Sequence, residues 1–358
     1  ALDDARAQFL SEYRRARDRG DESSLPTLLE HLTLVERRAG KWDEAEWYAH
    51  EMYDMAVRDG FLPVYHSWPL TLIQALRGHV EAARELAATG MEQADRLGIG
   101  PVFGGHRAVL GFIELSLANP SGALTYLKPL SDQLTAEIAE NGWFRFLADE
   151  IEALIALGDI RGAEILVDRL AERRMVPLDR AWTRAALPRC RGLVLAAEGN
   201  EDDAVAAFEV ALAEHERLPE PFERARTLLA LGRVQRRFRR RRAARESLMR
   251  AREIFSELGA PLWVARTDEE LRRIGGRAPR TAGLTPTEER VAALAADGLT
   301  NREIAATLYL SVNTVQAYLK RIYREFGIRS RTELARKLPP EGRSKSTDSG
   351  VSGPSRPS

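Results

Sequence analysis

Hydrophobic residues recur at helical spacing through residues 1–275, and no stretch alternates apolar and polar positions as a half-buried strand would. The segment 204–212 is an example, because its apolar residues lie at i, i+4, i+7 and i+8 and therefore share one face of a helix. These residues are Ala204, Phe208, Ala211 and Leu212. The pattern predicts an all-α fold.

A short motif recurs about every 40 residues, with a glycine, a polar turn and then a small residue that opens a helix. Its copies, two of them degenerate, lie at 40–45, 78–83, 119–123, 158–163, 199–204 and 239–244. Glycine can take the left-handed conformation that ends a helix, and alanine lets the next helix pack closely. The spacing predicts about six helix pairs, similar to tetratricopeptide repeats. Because one pair cannot bury its own apolar face, we expect the pairs to stack into a superhelix.

The segment 2–20 is typical of the second helix of a pair that lacks its first helix. Phe9 and Tyr13 share an apolar face, and Gly20 ends the segment. We therefore expect the sequence to be the C-terminal piece of a longer protein. A superhelix offers a concave surface for a regulatory ligand or a partner protein, but no residue pattern identifies the occupant.

The six tryptophans mostly lie beside predicted helix starts and interhelix turns, where large side chains fill gaps, so we favour core packing over ligand contact. They are Trp42, Trp47, Trp68, Trp143, Trp182 and Trp263. No two histidines have the one-turn spacing of a metal site, and no nucleophile–base pair or paired-acid constellation stands out. We expect no enzyme, no metal and no cofactor.

The cysteine and hydropathy patterns bear on the compartment. With Cys190 as the single cysteine, no intrachain disulfide can form, which fits a reducing cytoplasm. No apolar run approaches the ~20 residues of a membrane helix. Ala1 does not open a basic-then-apolar leader. We expect a cytoplasmic protein.

The formal net charge of +0 hides an uneven distribution along the chain. Residues 1–232 carry 26 Lys and Arg against 39 Asp and Glu, whereas residues 233–358 carry 27 against 14. A basic end favours contact with nucleic acid. The run 236–245 holds seven arginines, which could contact DNA phosphates or pair with the acidic body, and we favour the pairing.

A second pattern begins after a segment rich in glycine and proline at 276–283, which we interpret as a linker. Three capping boxes, which begin at Thr285, Thr300 and Ser330, and a capping Ser311 predict four helices. We assign 1–275 to the repeat domain and 284–338 to this compact unit. The final segment, 339–358, is rich in Ser, Pro and Gly, so we expect a disordered tail.

The third predicted helix has an apolar stripe that fixes which of its sides faces outward. The stripe consists of Val315, Leu319, Ile322 and Phe326, and the opposite side carries Asn313, Gln316, Ala317, Lys320, Arg321 and Arg324. Short polar groups come first and cations follow, which is the order that a helix needs to read bases in the major groove and hold phosphates beside them. Residues 316–337 hold seven Lys and Arg against two Glu.

Several linked motifs of this unit resemble the LuxR-type helix-turn-helix domain. They are Leu284–Val291, Gly298–Ala305, Leu310–Val315 and Gly327–Leu334. The resemblance implies a four-helix domain that binds promoter DNA as a dimer, with its third helix in the major groove and its fourth at the dimer interface. The family usually has a basic residue and a histidine where this chain has Gln316 and Tyr318, so its base preference is expected to differ.

The candidate DNA-binding residues are Thr300, Asn301, Asn313, Thr314, Gln316, Ala317, Lys320, Arg321, Arg324, Arg329 and Ser330. We expect a transcriptional regulator, in particular an activator, with promoter DNA, a homodimer partner and RNA polymerase as its contacts. Its repeats would sense a ligand or partner or mediate oligomerisation.

Two alternatives remain open. One is a repeat scaffold that binds proteins. The other is the C-terminal fragment of an ATP-dependent switch, because the layout resembles the large ATP-binding subgroup of LuxR regulators. The sequence contains no G-x-x-x-x-G-K-[ST] phosphate loop, so ATP binding is not expected of this chain itself.

Overall fold

The computed structural model describes residues 2–58, 64–98, 100–133, 145–173, 180–218, 220–274, 286–308, 312–328 and 330–337. The segments predicted to be a linker, 276–283, and a tail, 339–358, lie outside these ranges. Backbone contacts divide the chain into two units, Ala1–Gly276 and Arg277–Ser358, which we name the body and the terminal domain. All regular structure in the described ranges is helical, which confirms the predicted all-α fold.

The body contains fourteen helices within the described residues. They are α1 (Leu2–Arg19), α2 (Leu25–Arg38), α3 (Trp42–Arg58), α4 (Val64–Leu76), α5 (Val80–Leu97), α6 (Gly100–Ser116), α7 (Pro120–Asp132), α8 (Phe146–Leu157), α9 (Ile160–Arg173), α10 (Arg180–Glu198), α11 (Glu201–His215), α12 (Pro221–Arg237), α13 (Arg241–Glu257) and α14 (Pro261–Arg273). Helices α2 to α13 pack as six consecutive pairs, which is the number that the motif predicts. Helix α1 packs against α2, and α14 packs against α13.

The turn inside each pair has one backbone conformation whether or not glycine is present. The backbone is left-handed at Gly40, Gly78, Gly158 and Gly199, and in the two degenerate copies it is left-handed at Ala118 (φ 59°) and Arg239 (φ 64°). A left-handed non-glycine residue costs about 1–2 kcal/mol. The same turn therefore forms in all six pairs, and in two of them it carries strain.

The small residue after each turn allows the second helix of the pair to approach its neighbours. The alanines at this position are all fully buried, and they are Ala45, Ala83, Ala123, Ala163, Ala204 and Ala244. On the face of α11 that the sequence predicts to be apolar, Phe208 and Ala211 are also fully buried. The predicted packing role of these residues is confirmed.

The stack of pairs curves until its early helices meet its late ones. The ring of Trp42 on α3 lies 5.6 Å from the ring of Phe222 on α12, measured between centroids. The Trp263 Nε1 on α14 donates a hydrogen bond of 3.1 Å to the Ser116 Oγ on α6. A side chain at Gly40 would collide with Pro221, with a separation of 2.7 Å. One hydrophobic core therefore joins α3–α6 to α12–α14.

Most of the tryptophans lie in the core, as predicted, but not all of them do. Trp42, Trp68, Trp182 and Trp263 are buried, whereas Trp47 on α3 is 54% exposed. Trp143 lies outside the described residues. The expectation of core packing is therefore wrong for Trp47, because its position on α3 leaves more than half of its surface open to solvent.

The interior also contains a network of buried charges. The Arg226 guanidinium on α12 lies 2.6 Å from the Asp149 carboxylate and 2.9 Å from the Glu152 carboxylate, both on α8. Arg266 on α14 reaches Glu152 at 3.0 Å. Burial acts to raise the pKa of Glu152, but Arg266, Arg226 and Arg233 outweigh it and hold this pKa at about 2. The network joins helices from separate pairs through charge–charge contacts.

The arginine run at the last interhelix turn is largely used within the body. Arg236 pairs with Glu270 at 2.8 Å, and Arg240 pairs with Glu201 and Asp202. Two other arginines of the run are also bonded within the body, since Arg242 pairs with Glu246 on its own helix and Arg237 donates to the Ala196 carbonyl on α10. These contacts favour pairing with the acidic body over contact with DNA phosphates.

The terminal domain has four helices in its described residues. They are α15 (Pro286–Ala296), α16 (Asn301–Thr307), α17 (Val312–Glu325) and α18 (Arg331–Lys337). Within the described ranges of the whole chain, no helix combines the length and apolar composition needed to cross a bilayer. In the same ranges, no three His, Cys, Asp or Glu side chains gather in a way that could hold a metal ion.

Candidate nucleic-acid interface

The start of α16 is fixed by the capping box that the sequence predicts. The Glu303 backbone N–H donates to the Thr300 Oγ1 at 3.3 Å, and the Thr300 backbone N–H donates to the Glu303 Oε2 at 2.6 Å. These reciprocal bonds satisfy donors that the first turn of a helix otherwise leaves without partners. The Thr300 backbone N–H, followed by the Thr300 hydroxyl, lowers the pKa of the Glu303 carboxyl. The box therefore fixes the turn that precedes α16.

Two of the other predicted helix starts, those of α18 and α15, lie within the described residues. At α18, the Glu333 backbone N–H donates to the Ser330 Oγ at 3.2 Å, so Ser330 caps this helix. Helix α15 begins with Pro286, as predicted for a proline at the first helical position. Thr285 and Ser311 lie outside the described residues.

A small core holds α17 in one orientation. Val315 and Ile322 are fully buried and Leu319 is 5% exposed, which confirms the predicted apolar stripe. Phe326 is partly buried beside them, and Ile304 of α16 and Leu334 of α18 complete the core. Because these side chains face inward, the opposite side of α17 is left to solvent.

The outward side of α17 presents one amide and two cations among its described side chains. Gln316, Lys320 and Arg324 are exposed, at positions one turn apart along the helix. Neither Lys320 nor Arg324 forms an ion pair with any carboxylate that the structure describes. The arrangement offers a neutral hydrogen-bonding group first and positive charge further along.

Three predicted site residues at the domain's helix starts also make contacts within the domain. The Asn301 Oδ1 accepts a hydrogen bond of 2.8 Å from the Arg331 Nη2, and Asn301 is half-buried. Thr300 and Ser330 use their hydroxyl oxygens as helix caps, although Thr300 remains exposed. Contact with DNA stays a prediction for all three.

Several predicted site residues have side chains outside the described part of the chain. Asn313, Thr314, Ala317 and Arg321 belong to α17 by their backbone, but their side chains are not among those described. Arg329 lies outside the described residues altogether.

Arg331 positions the start of α16, a role that the local sequence patterns did not predict. Its guanidinium donates to the Leu299 carbonyl at 2.6 Å and to the Asn301 Oδ1 at 2.8 Å, so α18 holds the start of α16. Arg302, exposed on the first turn of α16, was missed as well. Arg331 lies in the third capping box, but no local pattern shows that its side chain reaches back about 30 residues.

Comparison with family models agrees with this geometry. The model of bacterial regulatory proteins of the luxR family matches residues 282–338. These residues form a LuxR-type helix-turn-helix domain. The tetratricopeptide repeat model matches residues 183–257, which include α11 and α12. The predicted resemblance to both families is therefore confirmed.

Relatives of the LuxR-type domain include proteins named as regulators. A protein of Mycobacterium tuberculosis named as an HTH-type transcriptional regulator is 45% identical over 51 residues, which cover 14% of this chain and 6% of that protein. A response regulator of Synechocystis is 45% identical over 58 residues, which cover 16% of this chain and 25% of that protein. The chain thus matches only a small part of the length of these relatives, and membership of the large ATP-binding subgroup stays a prediction.

Two solved structures resemble the chain at low similarity. The TPR2AB-domain:pHSP90 complex of yeast Sti1 has 15% identity and a TM-score of 0.28, and the match covers 70% of this chain and 99% of the Sti1 chain. BtubC from P. vanneervenii has 16% identity and a TM-score of 0.31, and the match covers 80% of this chain and 98% of the BtubC chain. At these scores neither likeness supports an argument about function.

Proposed function

We propose that the chain is a transcriptional activator whose LuxR-type domain binds promoter DNA as a dimer, with α17 in the major groove and α18 at the dimer interface. The observation that supports this most is the division of α17 into a buried stripe and an exposed side with Gln316, Lys320 and Arg324. The buried stripe fixes which side chains a duplex would meet.

The roles within α17 follow from the chemistry of its exposed groups. Gln316 can donate and accept hydrogen bonds at one adenine edge, whereas Lys320 and Arg324 suit phosphate oxygens. Contacts to bases select a sequence, and contacts to phosphates raise affinity for every sequence. The proposal therefore assigns specificity to Gln316 and general affinity to the two cations.

The body completes the proposal as the regulatory part. Its repeats sense a ligand or a partner, or they mediate oligomerisation, and the activated dimer contacts RNA polymerase. The cavity that the first helices of the pairs border supports a sensing role, because binding of a ligand there would stabilise the folded body. The protein would act in the cytoplasm, where the promoters are, and would not be an enzyme.

The test uses the full chain and a preferred duplex selected from a random pool. Lys320→Ala is expected to weaken binding to all duplexes and to reduce the slope of log affinity against log salt by about 1. Gln316→Ala is expected to cost about 1–3 kcal/mol at one base position and to relax the preference there. Fluorescence anisotropy over a salt series measures both effects.

Lys128→Ala is the matched control, since it removes an exposed lysine of the body that pairs with Asp132 at 2.8 Å. Wild-type affinity and salt dependence in both α17 variants would refute the assignment.

A second candidate is a protein-interaction scaffold, which the tetratricopeptide match at 183–257 favours. Sequence-selective, salt-sensitive duplex binding by the full chain supports the regulator over the scaffold.

A further inference from the structure

The interior of the body contains a cavity of about 80 Å³ bordered by the first helix of every one of the six pairs. Much of its wall is apolar and aromatic, with Trp68, Leu72, Val109, Phe112, Phe146 and Phe222. One water molecule needs about 10–15 Å³ of such cavity volume. The cavity therefore has room for a compact group of about six non-hydrogen atoms.

Arg37 on α2 borders this cavity and has no ion-pair partner among the described residues. No carboxylate in the described part of the chain forms an ion pair with its guanidinium, although most other interior arginines have such partners. Burial, followed by repulsion from Arg145, lowers the pKa of Arg37 to about 10 against the longer-range attraction of Glu220 and Glu223, so the group is still charged at neutral pH. Arg37 is partly buried, and a charge withdrawn from water favours an anion placed beside it.

A second unused group of the same wall is the indole N–H of Trp182 on α10. Trp182 is 3% exposed, and its Nε1 has no hydrogen-bond acceptor among the described residues, although buried indole N–H groups usually have one. The Arg145 guanidinium lies 4.9 Å from the Trp182 ring centroid and pairs with Glu220. The ring is thus held in place, and its N–H remains available to donate a hydrogen bond to a ligand.

The acidic groups of the wall are already engaged. Asp149 pairs with Arg226 at 2.6 Å, and Glu223 pairs with Arg189 at 2.6 Å. The wall therefore offers a spare cation and a spare donor, and its carboxylates are neutralised by their own partners. A small group with negative charge at one end and an apolar remainder matches this wall.

We propose that the cavity binds a short-chain organic carboxylate, whose oxygens accept hydrogen bonds from the Arg37 guanidinium and the Trp182 Nε1–H while its apolar tail packs against the aromatic wall. This inference gives the proposed effector of the body a chemical class. Its regulatory meaning rests on the proposed function.

The first experiment compares three probes on the full chain at constant ionic strength. Butyrate has six non-hydrogen atoms, butyramide has the same shape without the charge, and inorganic phosphate has the charge without the tail. Butyrate is expected to raise the melting temperature saturably and to give a calorimetric binding isotherm, because a ligand that binds only the folded state stabilises it. Butyramide and phosphate are expected to match the sodium chloride control.

Three results would overturn the proposal. They are an absence of stabilisation by butyrate, equal stabilisation by butyramide, and stabilisation by phosphate alone. None of them depends on a variant that must fold.

The second experiment removes the two groups separately. Arg37→Gln is expected to weaken butyrate binding at least tenfold, and Trp182→Phe about threefold to tenfold. The matched control is Arg96→Gln, which removes an exposed arginine of α5 that pairs with Glu92. It is expected to leave binding unchanged.

The melting temperature of the vacant protein separates a binding role from a structural one. Arg37→Gln is expected to keep or raise this temperature, because it removes a partly buried charge that has no ion-pair partner among the described residues. A lower melting temperature together with unchanged butyrate affinity would make Arg37 a structural residue and refute the site.

Duplex binding is measured in the same preparations. Butyrate binding without duplex binding would refute the proposed regulator function and support the proposed carboxylate site. Duplex binding without butyrate binding would support the regulator function and refute the site.

Discussion

Arg226 in the body and Lys320 in the terminal domain are both cations, but their surroundings are opposite. Arg226 is 5% exposed and meets Asp149 and Glu152 within 3 Å. Lys320 is exposed and forms no ion pair with a described carboxylate. Arginine-rich sequence occurs in both regions, but Arg226 is used inside the fold whereas Lys320 is open to an anionic partner. The number of basic residues in a segment therefore does not tell whether their charge is available to phosphates.

The largest expected effect on stability comes from replacing a buried arginine of the body rather than an exposed one. Arg226→Ala removes a cation shared by Asp149, Glu152 and Glu223, and it leaves Asp149 without an ion-pair partner among the described residues. We therefore expect the free energy of unfolding to fall by about 3–5 kcal/mol. Arg242→Ala breaks an exposed pair with Glu246 and is expected to cost about 0.5 kcal/mol or less. Urea denaturation followed by circular dichroism measures both. Equal losses would show that the interior network does not stabilise the fold.

Acid is expected to weaken the same network. The pKa of Glu152 is about 2 in the folded chain, below the ordinary value of 4.5, because three arginines outweigh its burial. The unfolded chain therefore binds more protons between these values, and the free energy of unfolding falls as the pH drops from about 5 towards 2. Glu152→Gln should reduce this fall in urea midpoints measured across the range. A difference between variant and wild type that does not change with pH would contradict this account.

A smaller effect is expected in the terminal domain, where Arg331 is an arginine used inside the fold. Arg331→Ala removes bonds to the Leu299 carbonyl and the Asn301 Oδ1, at a local cost of about 1.5–3 kcal/mol. Amide hydrogen exchange of α16 should accelerate accordingly. Arg336→Ala, an exposed change on the same helix, is the control. The role assigned to Arg331 is wrong if both variants exchange alike.

Local sequence patterns predicted the features that depend on neighbouring residues. The six turns, the alanines behind them and the Thr300–Glu303 capping box are each determined within about six residues, and the structure confirms them. The stripe of α17 was predictable for the same reason, because a helical repeat is a local property. The left-handed conformation of Ala118 and Arg239 was less evident, since packing of the pairs imposes it on residues that do not favour it.

Features that depend on distant residues were not predictable from these patterns. Arg37, Arg145 and Trp182 border one cavity, although the first and the last are 145 positions apart in the chain. The curvature of the stack brings them together, and no short motif encodes that curvature. The contact of Arg331 with Leu299 was missed for the same reason, because the length and direction of its side chain matter rather than its spacing.

The hydrogen bond from Trp263 to Ser116 limits how the body can change during evolution. An open array can gain or lose a unit at either end, because each unit touches only its neighbours. In this body the early and late helices also touch, so deleting a central pair would separate partners 147 positions apart and expose the rings between them. We expect natural variants to keep the number of pairs constant and to diversify the side chains around the enclosed space.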